Sequence, residues 1–260
     1  MELDLRLNQL ELTNFHKFVH CSIDLDEQLT VLVGDNGSGK SSVLEAAAVA
    51  LDSVIFHLVF RHQRVIEPSD VRIALIDMGE IVEQQPQFPV IVSACGRSGE
   101  TELHWSQTLQ SVDGRSQEKA DQSCSQLLQS CAAGIKSGDA NLVLPILAYY
   151  GTGRLWSEGH GSIDARRMTF SRQNGYVRSL EANASSDQML SWFFKMTAQD
   201  VQRAQSLKPT GESGLFAAVR GAVEQCFQGI TDSKRVNVTY NLDADDLDVE
   251  YVDLHGEVQR

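Results

Sequence analysis

The chain has 260 residues, 42% of them hydrophobic, and a formal net charge of −13. That length suffices for one large domain or two small ones with a real core. The acidic field excludes a protein that coats nucleic acid over its whole surface, because it repels phosphate; only a local basic face could do so. The five cysteines (Cys21, Cys95, Cys124, Cys131, Cys226) are odd in number and show no C-x-x-C spacing. They point to free thiols in a reducing cytoplasm, not to disulfides or zinc. Met1-Glu2-Leu3-Asp4 places acids where a secretory signal needs bases.

In chain order, Leu3, Leu5, Leu7, Leu10 and Leu12 give a strand or strand pair over residues 3–13. Asn14–Phe18 interrupts it. Val19, Cys21, Ile23 and Leu25 alternate and give a second strand. Leu29–Val33 is short, apolar and β-branched, and reads as a buried strand. Gly34-Asp35-Asn36-Gly37-Ser38-Gly39-Lys40-Ser41 then fits G-x-x-x-x-G-K-S/T, the P-loop or Walker A pattern. Ser41 to about Val59 lacks Gly and Pro and reads as a helix. Strand, glycine loop and helix coincide, as phosphate binding requires. Glycines let successive N–H groups point inward, and the helix N-terminus adds partial positive charge. In this pattern Lys40 reaches the β- and γ-phosphates and the Ser41 hydroxyl ligates Mg²⁺. The predicted nucleotide set includes Asn36, Gly37, Ser38, Gly39, Lys40, Ser41 and Ser42, with Ser41 as the metal ligand and ATP and Mg²⁺ as cofactors. Val43–Phe60, the most apolar long stretch, contains Glu45, Asp52 and His57 and reads as a core helix, not a membrane span.

Beyond it, Arg61, His62 and Arg64 form a small basic group, and Val71–Asp77 is strand-like. Val90–Ala94 and Glu102–Leu109 read as an antiparallel hairpin joined by Gly96–Gly99. Glu118–Lys136 has helical spacing, and Leu142–Tyr150 reads as a buried strand. Residues 151–178 are Gly- and Arg-rich, with Arg154, Arg166, Arg167, Arg172 and Arg178. This basic island is either a DNA- or RNA-facing loop or a solvated surface loop. Ser185–Ala204 reads as a helix, Lys208–Gly211 as a linker, Glu212 to about Phe227 as another helix, and 235–240 with 247–254 as a hairpin.

Leu12-Thr13-Asn14-Phe15-His16-Lys17-Phe18, a strand, and then Leu32–Ser41 resemble the opening of the SMC/RecF/OLD-type ABC ATPases. In that branch an L-x-N-F-R/K-x-F strand precedes a G-x-N-G-x-G-K-S/T loop, and Asn36 is its mark. The resemblance implies that Asn14–Lys17 lie near the base and ribose, which adds His16 and Lys17 to the nucleotide set; His16 stands where Arg is usual. Tyr149–Trp156 resembles a tract in ATPases of bacterial anti-phage systems such as Septu and some retron modules. In ABC folds this junction carries a Mg²⁺-ligating glutamine, and none stands here. The resemblance also implies that the signature, the Walker B Asp-Glu and the switch histidine lie beyond Arg260, so the catalytic residue is unknown.

Other patterns have plainer readings. Ile73–Asp77 imitates a Walker B strand, but Met78 follows where Glu is needed, so a plain strand end fits better. Asp243, Asp245, Asp246, Asp248 and Glu250 lack the glycine of a calcium loop and read as a solvated strand face. The seven histidines show no helical H-x-x-x-H pair, which argues against metal ligation.

The expected fold class is α/β: an ABC-type P-loop ATPase nucleotide-binding lobe with an antiparallel β part and a helical insertion. Residues 1–150 would form the P-loop lobe, and residues 151–260 the basic loop, helical region and terminal hairpin. The expected function is a cytoplasmic ATP-binding head whose nucleotide-driven dimerisation controls an effector or a DNA transaction, in anti-phage defence or DNA repair. Hydrolysis is expected of the complete protein, and this segment is expected to bind ATP without turnover. The expected partners are a second ATPase head, an effector protein, and DNA or RNA through the basic island, with no membrane. The alternatives are a catalytically incomplete nucleotide-sensing or interaction subunit and a small-molecule P-loop kinase.

Overall fold

Helix α1 (Lys40–Val59) is packed from two sides, and a five-stranded antiparallel sheet covers one of them. The structure is a computed structural model that describes residues 3–59, 64–79, 81–151, 172–181, 187–205 and 214–259. The sheet joins β1 (Leu5–Phe15), β2 (Phe18–Asp24), β5 (Val90–Ser98), β6 (Thr101–Leu109) and β7 (Gln117–Ala120) in the order β2-β1-β5-β6-β7. Strands β3 (Ile73–Asp77) and β4 (Val82–Pro86) form a separate two-stranded hairpin. Period-2 patterning builds the main sheet. Val90, Val92 and Ala94 of β5 and Leu103, Trp105, Gln107 and Leu109 of β6 point inward, while Cys95, Glu102 and His104 point out. At Gly96 an added Cβ would lie 2.4 Å from the Arg6 carbonyl oxygen and 2.8 Å from the Trp105 ring. Only glycine lets β1, β5 and that indole approach so closely.

Two apolar clusters share α1. Ala46, Val49, Ala50 and Val54 face the sheet with Leu10, Leu12, Phe15, Val92 and Trp105. Ala48, Ile55 and Leu58 face Leu3, Cys131, Leu142, Tyr176 and Leu180. This explains a helix apolar all round. By length and composition α1 could cross a membrane, yet 56% of that window is buried inside the protein. Helix α2 (Gln122–Ser137) closes the first cluster with Cys124 and Leu128; Asp121 caps it by accepting the Cys124 N–H at 2.7 Å. Residues 3–151 and 172–181 belong to this compact unit.

The second unit contains α3 (Asp187–Ala204), α4 (Gly214–Thr231) and a three-stranded sheet of β8 (Arg235–Asn241), β9 (Asp246–Val252) and β10 (Val258–Gln259). Its core is Phe193, Met196, Phe216 and Val238, with Trp192 edge-on to both Phe193 and Phe216. Trp192 and Phe193 are thus helix-packing residues. In the β8–β9 turn, Asn241 Oδ1 accepts the Asp243 and Ala244 N–H groups, and Asn241 Nδ2 donates to Asp248 at 2.8 Å.

Several elements differ from the sequence-based expectation. Leu29–Val33 is no strand: among the described residues nothing pairs with it, and Leu29, Val31 and Val33 are exposed. A run of this kind needs ladder partners, and local pattern alone cannot supply them. Leu142–Tyr150 is also no strand. Pro145 removes a ladder donor in its middle, and only Leu142, Leu144, Leu147 and Tyr149 reach the core, while Ile146 is exposed. Glu118–Ala120 is strand β7, not helix, because the Asp121 cap starts α2 later. Asp77 ends an exposed hairpin strand and accepts the Gly79 N–H at 2.8 Å, a turn role and not a Walker B role. The Lys208–Gly211 linker lies outside the described residues.

Gln107 joins sheet to helix. It is fully buried; its Nε2 donates to the Val49 carbonyl (3.0 Å) and Ser53 Oγ (3.2 Å), and its Oε1 accepts from Ser116 Oγ at 3.0 Å and from the Ile66 N–H at 3.4 Å. Gln107→Leu keeps most of the volume but orphans the buried Ile66 N–H. It should lower stability by about 2 kcal/mol, read as a lower urea midpoint at unchanged slope.

Candidate functional site

The P-loop follows the β1–β2 hairpin and runs into α1. Gly37 (φ 77°) and Gly39 (φ 103°) take left-handed backbone that other residues rarely adopt. A Cβ on Gly39 would also lie 2.5 Å from the Phe18 ring and 3.0 Å from the Lys17 side chain. Glycine therefore lets β2 press on the loop.

A cavity of about 290 Å³ opens here, lined by His16, Lys17, Asn36, Gly37, Gly39, Lys40, Ser41 and Ser42. All the sequence-predicted nucleotide residues except Ser38 line it. The Ser38 hydroxyl instead sits 3.4 Å from Lys40 Nζ. Lys40 Nζ donates to the carbonyls of Gly34 (2.7 Å) and Asp35 (2.8 Å), and Lys17 Nζ donates to the Gly37 carbonyl (2.7 Å). Two ammonium groups thus flank one concave loop. Their carbonyl partners are neutral, so an entering anion can replace them at modest cost. The donor set suits a hydrated Mg²⁺ held by one hydroxyl and by phosphate oxygens, since Mg²⁺ keeps several waters and takes few protein ligands. Ser41, the second residue of α1, offers that hydroxyl.

The β1–β2 turn is fixed from outside the loop. Asn14 (φ 51°) and His16 (φ 49°) are left-handed; Asn14 Nδ2 donates to the Pro89 carbonyl at 3.1 Å, and the His16 N–H donates to the Asp70 carbonyl at 2.6 Å. His16 Nε2 lies 2.7 Å from Glu45 of α1 and 3.4 Å from Asp70, a charge contact when protonated rather than an aligned hydrogen bond. Asp70 is buried and receives a bidentate pair from Arg64, at 2.7 and 2.9 Å. Burial pulls the Arg64 guanidinium down, but the bond and charge of Asp70, with Glu45 and Glu67, outweigh it and hold the group above its ordinary value. Burial, joined by the Glu45 charge and opposed by Arg64, pushes the Tyr149 phenol up. His16, Glu45 and Asp70 could in principle hold a cation, but Arg64 already supplies positive charge to Asp70. Sequence reasoning singled out Arg64 and Tyr149 but did not connect them with Glu45 and Asp70. Glu45, Tyr149 and the Arg64–Asp70 pair come from three separate parts of the chain, and no motif joins them.

The basic island is mostly outside the described residues: Arg154, Arg166 and Arg167 lie there, as does the Arg172 side chain. Arg178 is described and pairs with Glu181 at 2.7 Å.

With this geometry in place, comparison with known proteins identifies the fold family. The profile of the AAA domain matches residues 9–207. The chain belongs to the AAA domain family. It is 48% identical over 42 residues to the "DNA replication and repair protein RecF" of Agrobacterium fabrum (strain C58 / ATCC 33970), covering 16% of this chain and 11% of that protein. The RecF of Rhizobium leguminosarum bv. trifolii (strain WSM2304) is 42% identical over 43 residues, covering 16% and 12%. These matches thus span only about a tenth of the curated relatives. Among solved structures, the recombination mediator protein RecF-ATP in the RecFOR pathway aligns with TM-score 0.40 and 14% identity, covering 91% of this chain and 61% of that one. A structure from work on ATP-driven dimerisation and DNA-stimulated activation of SMC ATPases aligns with TM-score 0.33 and 22% identity, covering 54% and 86%. The family assignment agrees with the α/β P-loop lobe and antiparallel part described above.

Arg64→Met should leave the Asp70 carboxylate, 2% exposed, without its guanidinium. A buried charge stripped of its partner costs about 3 kcal/mol or more. Chemical denaturation should show that loss, and a variant as stable as the parent would show the pair to be dispensable.

Proposed function

We propose that this chain is the ATP-binding head of an SMC/RecF-type ABC ATPase. The observation that carries the reading is the cavity where Lys17 and Lys40 flank the glycine loop at the N-terminus of α1. Loop N–H groups and the helix dipole favour a polyphosphate there. On this reading Lys40 moves from the Gly34 and Asp35 carbonyls to the β- and γ-phosphates. Ser41 would hold Mg²⁺, which would supply charge neutralisation to the phosphates. Lys17 and His16 border the end of the cavity toward the ribose and base.

The proposal extends to a complete protein that hydrolyses ATP as two heads close on nucleotide, driving an effector or a DNA transaction. The family supports the ATPase class, and the RecF relatives support DNA repair as its setting. Anti-phage defence is the finer alternative, suggested by the Tyr149–Trp156 tract; the basic island is the proposed nucleic-acid contact.

Titration calorimetry with Mg²⁺ and ATP tests the site. Lys40→Ala removes a charge-assisted phosphate contact, so affinity should fall roughly 30- to 100-fold, with the unfolding midpoint nearly unchanged. Equal affinities would remove Lys40 from the site.

The nucleic-acid arm has its own test. At a net charge of −13 the isolated chain should retard duplex DNA only at low ionic strength. Tight retardation in a gel shift that persists at high salt would contradict a contact made by a few arginines in an acidic field.

A further inference from the structure

We propose that Cys95, Glu102 and His104, on the outer face of the β5–β6 hairpin, form a zinc-class metal site that clips the two strands together. It lies on the sheet face opposite the α1 core, and none of its residues lines the P-loop cavity.

Three observations converge on it. Cys95 and His104 are direct cross-strand partners in the β5–β6 ladder, and Glu102 stands two residues before His104 on the same face. Strand pleating therefore aims all three side chains outward from neighbouring positions. Next, one ligand atom from each lies within 4.8 Å of the other two. Glu102 Oε1 is the hub, 3.4 Å from the Cys95 sulfur and 3.4 Å from His104 Nε2. Zinc bonds of about 2.3 Å to sulfur and about 2.0–2.2 Å to nitrogen or oxygen give tetrahedral donor–donor edges of roughly 3.4–3.6 Å. The Cys95 thiol donates a hydrogen bond to Glu102 and His104 makes a charge contact with the same oxygen, and both separations match such edges, so a cation can replace the thiol proton without moving the donors far. Finally, the trio borders an open depression of about 540 Å³ whose ionisable lining is Glu11, Glu102, Lys119 and Asp121 besides His104 and Cys95. Three carboxylates against one ammonium favour a cation, and the open side leaves room for a water or exogenous ligand in the fourth position.

The donors choose the metal class. A thiolate with an imidazole suits zinc, whereas magnesium and calcium prefer oxygen alone. Binding is a substitution: the Cys95 S–H bond breaks, its proton leaves to solvent, and a metal–sulfur bond forms with no change of oxidation state. Histidine and cysteine spacing along the chain argued against metal, because the pairing is written in strand register and not in sequence distance.

Cobalt(II) is the probe, titrated into nucleotide-free protein. The wild type should bind one equivalent with a sulfur-to-cobalt charge-transfer band, and zinc should abolish the band by displacement. Cys95→Ser should eliminate it. Glu102→Gln and His104→Gln, both at exposed positions, should each weaken binding by about tenfold or more. Cys21→Ser and Cys226→Ser should leave the band intact. Zinc should also raise the melting temperature of the wild type and not of Cys95→Ser, since a ligand that binds only the folded state stabilises it. The proposal is overturned if the wild type gives no band with excess cobalt, if the band survives Cys95→Ser, or if Glu102→Gln and His104→Gln bind as the wild type does. ATP affinity is read independently, so failure here leaves the P-loop assignment untouched.

Discussion

Burial of α1 on two sides is the constraint on which the first unit depends. Its N-terminal residues close the P-loop, and its body contributes to both apolar clusters, as α2 does through Cys124, Leu128 and Cys131. Trp105 Nε1 donates to the Ala50 carbonyl at 2.7 Å, and Gln107 Nε2 donates to the neighbouring Val49 carbonyl. Two buried side chains from β6 thus fix the rotation and depth of the helix. In a close-packed interior a helix held this way does not slide, because any shift opens voids and breaks satisfied polar contacts. The loop at its tip inherits that rigidity.

The other wall of the site is held by charge. Two left-handed residues, Asn14 near the end of β1 and His16 in the β1–β2 turn, shape this wall, and such backbone persists only where its surroundings over-determine it. Here they do: the Asp70 carbonyl takes the His16 N–H, while the Asp70 carboxylate takes the Arg64 fork and the Glu67 N–H. Glu45, one turn into α1, reaches back to His16. The turn that carries Lys17 is therefore tied to Asp70, and a protonated His16 adds a charge contact to the helix that carries Lys40 and Ser41. Displacement of either wall would alter the spacing between the two ammonium groups across the loop.

The five-stranded sheet has one apolar and one polar face, and the two do different things. The inner face supports α1. The outer face brings together groups distant in sequence, among them Cys95, Glu102 and His104, through antiparallel register. A one-residue slip would exchange the faces and undo both arrangements at once. The bulge between Leu7 and Gln9, with Gly96 opposite Leu7, marks where β1 and β5 fix that register.

Features set by local chemistry were legible from residue order alone. The glycine loop with Lys40 and Ser41, the helix after it, the β1–β2 and β5–β6 hairpins, and α3 with α4 all announce themselves by residue type or periodicity within a few positions. Long-range packing and pairing set the rest. Leu29–Val33 and Leu142–Tyr150 carry apolar patterns suited to strands, but a strand exists only where a neighbour completes its ladder; among the described residues the first run has no strand partner and the second has only an isolated bridge at Val143. Glu118–Ala120 follows β6 into the sheet because an open edge was available to it, which no helical spacing could reveal. The anchoring of His16 by Glu45 and by the Arg64-paired Asp70, and the meeting of Cys95 with His104, depend on residues that only folding makes neighbours. Motif and periodicity are short-range properties of the chain; ion-pair networks and strand register are long-range ones, fixed when the whole core closes.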